Sequence, residues 1–294
     1  MRITVTGASG LIGSKLVERL RSRGDEVTTL SRNPSASGAV AWQPEQGPAP
    51  AAALSGRDAV VHLAGENVAQ RWGDDAKRRI RESRELGTRN LVAGIEAAEP
   101  RPCVLVSSSA VGYYGPHGDE RLDEDTPPGH DFLAEVCVSW EREACRAEGF
   151  GLRVATIRTG VVLDQSGGAL AKMLPFFKLG VGGPVAGGDQ YMPWIHVDDI
   201  VSLYLAALDG TAWEGPVNAS APEPVTNAAF SKALGRALRR PAFAPVPALA
   251  IRALYGEMAE IVTKGQRVVP RRAQELGFEF AHPDLDEALR SALT

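Results

Sequence analysis

The first thirteen residues of this 294-residue chain, MRITVTGASGLIG, constrain its fold more than any other stretch. Residues 2–6 are rich in β-branched side chains, three glycines follow with GxxGxxG spacing, and residues 11–20 take up a helical apolar rhythm. A strand that runs through a glycine turn into a helix is the pattern of a dinucleotide-binding unit. The sequence therefore predicts an α/β chain that begins with such a unit.

Each glycine of this turn has a physical role in that interpretation. Gly7 allows a tight turn after the strand, Gly10 leaves room for a pyrophosphate, and Gly13 lets the helix pack closely. The unpaired N–H groups at the helix start, with their partial positive charge, attract phosphates. The predicted cofactor contacts in this stretch are Gly7, Ser9, Gly10, Leu11, Ile12 and Gly13.

The end of the second predicted strand, residues 26–30, indicates which dinucleotide is bound. An acidic residue at this position would hold the ribose 2′-hydroxyl of NAD, but the chain has Ser31 and Arg32 there. A hydroxyl and a guanidinium suit the extra phosphate of NADP. The sequence therefore favours NADP(H) over NAD(H), with a solvated strand-end arginine as the alternative.

Composition limits the classes of partner. The formal net charge is −4 and 44% of the residues are hydrophobic, so the chain can bury a large core and has no global attraction to nucleic acid. Three cysteines without metal-type spacing suit a reducing compartment, and each is expected in the core. No apolar run approaches the ~20 residues of a membrane span, and the first strand begins at once. We expect a cytoplasmic protein with a small-molecule partner and no membrane partner.

Three further strands end in residues that are suited to bind a ligand. Residues 58–64 form a buried strand in which His62 is expected to be a core imidazole, residues 103–106 lead into a serine-rich loop, and residues 152–157 form a later strand. Ligands bind at the carboxyl ends of parallel strands. The predicted contacts at these ends are Leu63, Ala64, Gly65, Glu66, Ser107, Arg158 and Thr159.

Two long helical patterns and one acidic loop complete the N-terminal part. Residues 72–98 and 132–147 are predicted helices, and most of the charge of the first is interpreted as a solvated face. Acidic residues at 119–125 are interpreted as a solvent-facing loop. From residue 162 the pattern changes to glycine-rich loops, short helices starting with one at 173–179, and a mainly helical C-terminal lobe.

Taken in order, several motifs resemble one known superfamily. The chain resembles the extended short-chain dehydrogenase/reductases in the motifs GASGLIG, VVHLAG, VSSSAVGYYG, DEDTPPG and WIHVDDI. It resembles an atypical epimerase-like subgroup of unknown substrate in the segments GGPVAGGDQYMPWIHVDD and GQRVVPRRAQELGFEF. The resemblance implies a doubly wound Rossmann-type parallel sheet that binds NADP(H), and a small C-terminal domain. The expected boundaries are 1–161 plus about 192–222 for the Rossmann domain, and about 162–191 and 223–294 for the substrate lobe, with 245–294 as the C-terminal domain.

The catalytic residues depart from the superfamily pattern. By matching motif, Ser109 takes the place of the catalytic serine. Superfamily members then carry Tyr-x-x-x-Lys on the next helix, with the tyrosine as the general acid/base and the lysine on the nicotinamide ribose. Here that helix reads FLAEVCVSWEREA. The nearest occupants of the two positions are Leu133 or Ala134 and Cys137 or Val138.

Other side chains must then supply a proton if the chain is an enzyme. The candidates are Tyr113 and Tyr114 on the serine loop and Glu135 on the helix, with pocket lining as the alternative role for the tyrosines. His196 is expected to order the end of the sheet. No metal ligands are predicted.

Three functions stay open on the sequence. The first is an NADP(H)-dependent oxidoreductase or epimerase-like enzyme acting on a small polar substrate. The second is a non-catalytic scaffold or sensor in which NADP(H) orders a surface for a partner, a hypothesis that the absent Tyr/Lys pair supports. The third, nucleic-acid binding, rests only on the basic cluster at 71–84 and is disfavoured by the net charge. The sequence leaves monomer or homo-oligomer undecided.

Overall fold

The computed structural model describes residues 1–34 and 38–294. Its strands are β1 (Arg2–Thr6), β2 (Glu26–Ser31), β3 (Ala39–Ala41), β4 (Ala59–His62), β5 (Val104–Ala110), β6 (Arg121–Leu122), β7 (Arg153–Thr159), β8 (Val161–Leu163), β9 (Tyr191–Met192), β10 (Trp194–His196), β11 (Gly215–Ala219), β12 (Val225–Thr226) and β13 (Arg267–Val268). Its α-helices are α1 (Leu11–Ser22), α2 (Asp74–Glu96), α3 (Phe132–Cys145), α4 (Gly168–Lys178), α5 (Val197–Asp209), α6 (Asn227–Leu238), α7 (Ala248–Tyr255), α8 (Ala259–Thr263), α9 (Arg271–Glu275) and α10 (Leu285–Ala292).

Seven strands form one parallel sheet in the order β11-β7-β5-β4-β1-β2-β3. The chain therefore moves outward from β1 to β3, returns past β1 to β4, and continues to the other edge. This reversal makes the edge between β1 and β4 a topological switch point, where open α/β sheets bind ligands. Thr6 lies opposite both Leu30 and His62, so β1, β2 and β4 end at the same level.

Helices cover both faces of the sheet. Ile3 and Val5 of β1 pack with α1 and α5 in one core, whereas Val60 of β4 and Leu105 of β5 pack with α2 and the segment around Trp42 in the other. Burial on both faces explains the near-continuous apolar strands. The predicted doubly wound Rossmann-type fold is confirmed.

A separate apolar cluster lies outside the sheet. Leu163, Leu170, Trp194, Phe230 and Leu289 are all buried in it, and it joins β8, β10, α4, α6 and α10. The parallel pairing of β13 with β6 ties the C-terminal part of the chain to the acidic loop. These contacts pack the later elements against the carboxyl edge of the sheet.

Several sequence expectations need correction. Strand β5 continues beyond Val106 to Ala110, because its serines stay paired with residues 156–158 of β7. The predicted helix at 173–179 begins earlier, at Gly168. Cys103 is exposed rather than in the core. Glu124 is buried, unlike the rest of the acidic loop, because two backbone amides from other segments bind its carboxylate.

His62 is a core imidazole, as the sequence predicts. One ring nitrogen lies 2.7 Å from the hydroxyl of Thr6 and the other lies 3.0 Å from that of Thr88. Burial, followed by the nearby charge of Arg84, lowers the pKa of His62 from 6.5 to about 4. The imidazole is therefore neutral at neutral pH and its protonation opposes folding.

The shifted pKa of His62 predicts a pH dependence of stability. Because the unfolded chain binds the proton more readily, the free energy of unfolding falls as the pH drops from about 6.5 to about 4. At about 1.4 kcal/mol per pKa unit, His62 contributes up to about 3 kcal/mol to that loss. Chemical denaturation at several pH values measures it. A His62→Asn variant shows a shallower dependence, and an unchanged slope in that variant contradicts the assignment.

Candidate functional site

The glycine loop after β1 is a close-packed turn. Gly7 has a φ of +68°, and a Cβ atom there would lie 2.7 Å from the carbonyl carbon of Leu63. A Cβ atom at Gly13 would lie 2.2 Å from the carbonyl oxygen of Gly7. The amide of Gly10 donates to that same oxygen at 3.0 Å. The turn therefore has this shape only with glycine at 7 and 13.

The first turn of α1 is open to an anion. Gly10 is the N-cap, no side chain of residues 1–34 or 38–294 caps the helix, and its first turn carries no acidic residue. Ser9 and Gly10 are exposed, and Leu11 and Ile12 are half-buried. Free backbone amides without a competing carboxylate bind phosphate groups well. The loop therefore fits the pyrophosphate of a dinucleotide.

The end of β2 presents the two residues that were predicted to select NADP. The Ser31 hydroxyl accepts a hydrogen bond from the Asn33 amide at 3.2 Å. Arg32 is exposed, its carbonyl accepts from Gln43, and its guanidinium forms no ion pair within residues 1–34 and 38–294. A cation beside a hydroxyl at this edge suits a ribose phosphate.

The end of β4 is fixed to β1 by one hydroxyl. Thr6 Oγ1 accepts hydrogen bonds from the amides of Leu63 and Ala64 at 3.1 and 3.2 Å. Gly65 follows, exposed, and the Glu66 amide donates to the hydroxyl of Ser83. The backbone at 63–66 is thus held level with the glycine loop, where the predicted contacts require it.

Beyond β5 lies a buried ionic network. The Ser109 hydroxyl donates to Glu141 Oε1 at 2.6 Å, and Arg158 binds both oxygens of Glu141 at 2.9 Å. Burial opposes the charge of Arg158, but the hydrogen bonds and charge of Glu141 outweigh it and raise its pKa. The proton of Ser109 is engaged by Glu141, so in this arrangement Ser109 cannot donate it to a substrate oxygen.

The same network reaches the C-terminal part of the chain. Arg158 donates to the Tyr114 hydroxyl at 3.0 Å, and that hydroxyl donates to Asn218 Oδ1 at 2.6 Å. The Asn218 amide nitrogens donate to the carboxylate of Glu124 and the carbonyl of Val269. Burial raises the pKa of Glu124 despite its hydrogen bonds. The network therefore links β5, β7 and β11 to the segment before α9.

The three predicted proton donors lie in different environments. Tyr114 is 0% exposed, and burial raises the pKa of its hydroxyl. Tyr113 is half-buried, and its ring packs against the Arg158 guanidinium at 3.5 Å. The Glu135 side chain is 58% exposed and forms an ion pair with Arg81. Tyr113 combines a fixed ring with partial exposure beside the carboxyl end of β5.

The remaining predicted contacts are less accessible. Ser107 is fully buried, with its hydroxyl on the Ser108 carbonyl. Thr159 is half-buried at the end of β7, and its hydroxyl donates to the Ile157 carbonyl. Arg158 is 3% exposed inside the ionic network. At these positions the side chains support the sheet edge rather than face open space.

The segment after β8 covers the glycine loop. A Cβ atom at Gly167 would lie 3.2 Å from Cδ1 of Leu11, and Lys15 of α1 pairs with Asp164 at 3.0 Å. Lys172 of α4 donates to the Ala69 carbonyl at 2.5 Å. Helix α4 therefore bridges the two sides of the switch-point edge.

His196 joins this edge to the C-terminal part of the chain. Its Nδ1 accepts from the Asp198 amide at 3.1 Å and caps α5, and its ring contacts that of His282 at a tilt of 43°, with centroids 3.9 Å apart. The carboxylate of Asp199 binds the amides of Ala281 and His282. Burial, then His282, lowers the pKa of His196 to about 4. His196 thus orders the end of the sheet. The lone pair of Nδ1, which could otherwise bind a metal ion, accepts the hydrogen bond from the Asp198 amide.

Comparison with known proteins assigns the family. The model of the NAD dependent epimerase/dehydratase family matches residues 3–218, and that of a domain of unknown function (DUF1731) matches residues 246–292. The chain belongs to the NAD dependent epimerase/dehydratase family. The predicted resemblance is confirmed, including the characteristic C-terminal domain.

Relatives match the chain over its whole length. The chloroplastic epimerase family protein SDR39U1 homolog of Arabidopsis thaliana is 43% identical over 100% of this chain and 87% of its own length. The crystal structure of human epimerase family protein SDR39U1 (isoform 2) with NADPH has a TM-score of 0.93 and 36% identity, covering 100% of both chains. A nucleoside-diphosphate sugar epimerase from Corynebacterium glutamicum has a TM-score of 0.82 and 36% identity, covering 100% of this chain and 58% of that one.

Within this family fold, sequence reasoning missed Glu141, Asn218 and Glu124. Glu141 does have a recognisable signal, because it lies four residues after buried Cys137 and seven after buried Ala134 on α3. An acid on the apolar face of a helix needs a buried partner. Asn218 and Glu124 give no comparable signal, since only the tertiary fold brings them together.

The packing of the glycine loop gives a direct test. We expect Gly13→Ala to lower the free energy of unfolding by about 1–3 kcal/mol, because the new methyl displaces the Gly7 carbonyl. The affinity for NADPH should fall at least about tenfold, since the amides of the loop move. Titration calorimetry and denaturant unfolding measure both effects. Gly149→Ala, with no atom within 4 Å of its new methyl, is the control and stays near wild type. Unchanged NADPH binding in Gly13→Ala contradicts the role of this turn.

Proposed function

We propose that this chain is an NADP(H)-dependent oxidoreductase or epimerase-like enzyme that acts on a small polar substrate. The observation that carries the proposal is the glycine loop at the switch point, with Ser31 and Arg32 at the end of the neighbouring strand. The human relative was solved with NADPH, which supports the choice of cofactor. A more distant superfamily protein from Agrobacterium tumefaciens was solved with NAD, so the family fold accommodates both.

The separate apolar cluster outside the sheet supports a division of the chain into a cofactor-binding part and a substrate-binding part. We place the cofactor on residues 1–161 with about 192–222, and the substrate against residues 162–191 and 223–294. Helix α4, which packs beside the glycine loop and binds the Ala69 carbonyl, supports a cleft on this side. In this proposal, residues 245–294 form the C-terminal domain that holds the cleft together through β13 and Asp199.

The bound nicotinamide supplies or accepts a hydride, and the chain must supply the proton. Tyr113 is our first candidate, because its ring is fixed by Arg158 and its side chain is partly exposed. Ser109 can act as the catalytic serine that its motif implies only if its hydroxyl gives up the hydrogen bond to Glu141. Tyr114 and Glu135 rank behind them, the first because it is buried and the second because it is paired at the surface.

Arg32 is proposed to select NADP(H). A charge-assisted hydrogen bond contributes roughly 1.5–3 kcal/mol, so Arg32→Ala should weaken NADPH binding about ten- to a hundredfold. The affinity for NADH should stay within about twofold of wild type. Titration calorimetry with both cofactors checks the ratio. Arg21→Ala, at an exposed arginine in the last turn of α1, is the matched control. Equal losses for NADPH and NADH in Arg32→Ala would refute the selection.

Tyr113 is tested with the first substrate found in a screen of carbonyl compounds and sugar nucleotides. Loss of a general acid costs about 10²–10⁴-fold in kcat, so Tyr113→Phe should lose that factor while binding NADPH as wild type does. Tyr114→Phe should instead lower the free energy of unfolding by about 1–3 kcal/mol, because Asn218 and Arg158 lose a buried partner. Nicotinamide absorbance and denaturant unfolding separate the two. Wild-type turnover by the Tyr113→Phe variant would show that Tyr113 is not the general acid.

A non-catalytic scaffold or sensor is the second candidate function. It is favoured by helix α3, which carries neither tyrosine nor lysine, and by the engagement of Ser109 with Glu141. In that case NADPH stabilises the fold without turnover. The discriminating result is a protein partner recovered from extract with NADPH and absent without it; recovery in both conditions counts against the scaffold.

The same proposal includes expectations about the cellular location and the partners of the chain. Within the described ranges, 1–34 and 38–294, no helix has the length and apolar character that would carry it across a membrane. A cytoplasmic location stays a prediction, and one relative is named chloroplastic. A small-molecule partner is part of the proposed function, whereas the oligomeric state stays open.

A further inference from the structure

Arg84 of α2 lies at the switch-point edge in an unusual setting. A Cβ atom at Gly65 would lie 3.2 Å from Cζ of Arg84 and 3.3 Å from its Nη2, so the guanidinium takes up the space that a side chain at position 65 would need. Its Cζ also lies 4.9 Å from the centroid of the Trp140 ring of α3. The charged group is thus held between a glycine and an indole.

The hydrogen bonds of Arg84 leave most of its donors unused. Nη1 donates to the carbonyls of Glu66 at 3.0 Å and Ile80 at 3.2 Å. A guanidinium has five N–H donors. The three on Nε and Nη2 have no acceptor among residues 1–34 and 38–294, and neither nitrogen is fully shielded from solvent.

The charge of Arg84 has no carboxylate in contact among the described residues, and Glu66 acts on it only from a longer distance. No carboxylate lies within 4.0 Å of its guanidinium in the part of the chain that the structure describes. Its neighbours on the α3 side include Cys137, whose thiol is neutral because burial raises its pKa to about 12. Burial lowers the pKa of Arg84 itself. A mostly buried cation without a counter-charge in contact costs free energy unless a ligand binds it.

Its place along the sheet edge indicates which part of a dinucleotide it faces. In the proposed function, the glycine loop at the end of β1 receives the pyrophosphate, and Arg32 at the end of β2 receives the adenosine half. The sheet order places β4 and β5 on the other side of β1. Arg84 lies against Gly65 at the end of β4 and against Trp140, on the helix that packs over β5. The nicotinamide half extends to this side.

We propose that Arg84 binds the nicotinamide-ribose half of NADP(H) through its free Nε and Nη2 donors. It thereby supplies the cationic group that helix α3 lacks. This inference rests on the proposed function, since it assumes that a dinucleotide occupies the edge. Arg84 is a cofactor-positioning residue, and its guanidinium is held by contacts with the Trp140 ring and Gly65.

Comparison of a whole and a truncated ligand tests the proposal. NADPH contains both halves, whereas 2′,5′-ADP contains the adenosine and its phosphates but no nicotinamide ribose. Titration calorimetry of wild type, Arg84→Gln and Arg84→Lys with each ligand measures the affinities. The control is Arg78→Gln, because Arg78 is exposed on the same helix and pairs with Asp75, three residues before it.

We expect Arg84→Gln to weaken NADPH binding at least tenfold and to leave 2′,5′-ADP binding within twofold of wild type. Arg84→Lys keeps the charge without the planar fork, so it should weaken NADPH binding less than Arg84→Gln does. It should leave the affinity for 2′,5′-ADP unchanged. Arg78→Gln should change neither affinity.

Three results would overturn the proposal. Equal losses for both ligands in both Arg84 variants assign Arg84 to structure alone. Unchanged NADPH affinity in both variants removes it from the cofactor site and leaves the proposed function standing. Absence of NADPH binding by the wild-type chain overturns the proposed function together with this inference.

Discussion

The contact between the glycine loop and the end of β4 is the constraint on which the site depends. Gly7 fits against the backbone of Leu63 only because it lacks a side chain, and the Thr6 hydroxyl holds the amides of Leu63 and Ala64 beside it. Because His62 also binds Thr6, the ends of β1 and β4 form one rigid platform. The open amides of α1 and the backbone at Gly65 are positioned by that platform.

A second constraint, the buried network around Glu141, shapes what chemistry the site can perform. Arg158 and Ser109 both bind Glu141, and Arg158 continues to Tyr114 and the C-terminal part of the chain. A bidentate pair of this kind costs much to break once it is buried. The network therefore holds Ser109 in a supporting geometry, and its Arg158 guanidinium packs against the half-buried ring of Tyr113.

Sequence reasoning was most successful where local rules operate. The GxxGxxG turn and the apolar strands follow from backbone geometry and periodicity, and the structure contains both. It was least successful where a polar residue depends on a distant partner. Interpreting most of the charge of residues 72–98 as a solvated face did not single out Arg84, which lies four residues after buried Ile80 on the inner face of α2. The sequence signal that could have identified Arg84 was a charged residue on the apolar face of a helix.

A crystal structure of this chain with NADPH tests the account most directly. We expect pyrophosphate oxygens within hydrogen-bond distance of the amides of Leu11 and Ile12, the 2′-phosphate at Arg32, and the nicotinamide ribose within reach of Arg84. Tyr113 should be the tyrosine that faces the nicotinamide. A dinucleotide bound in the reverse direction, or bound away from the edge between β1 and β4, would contradict it.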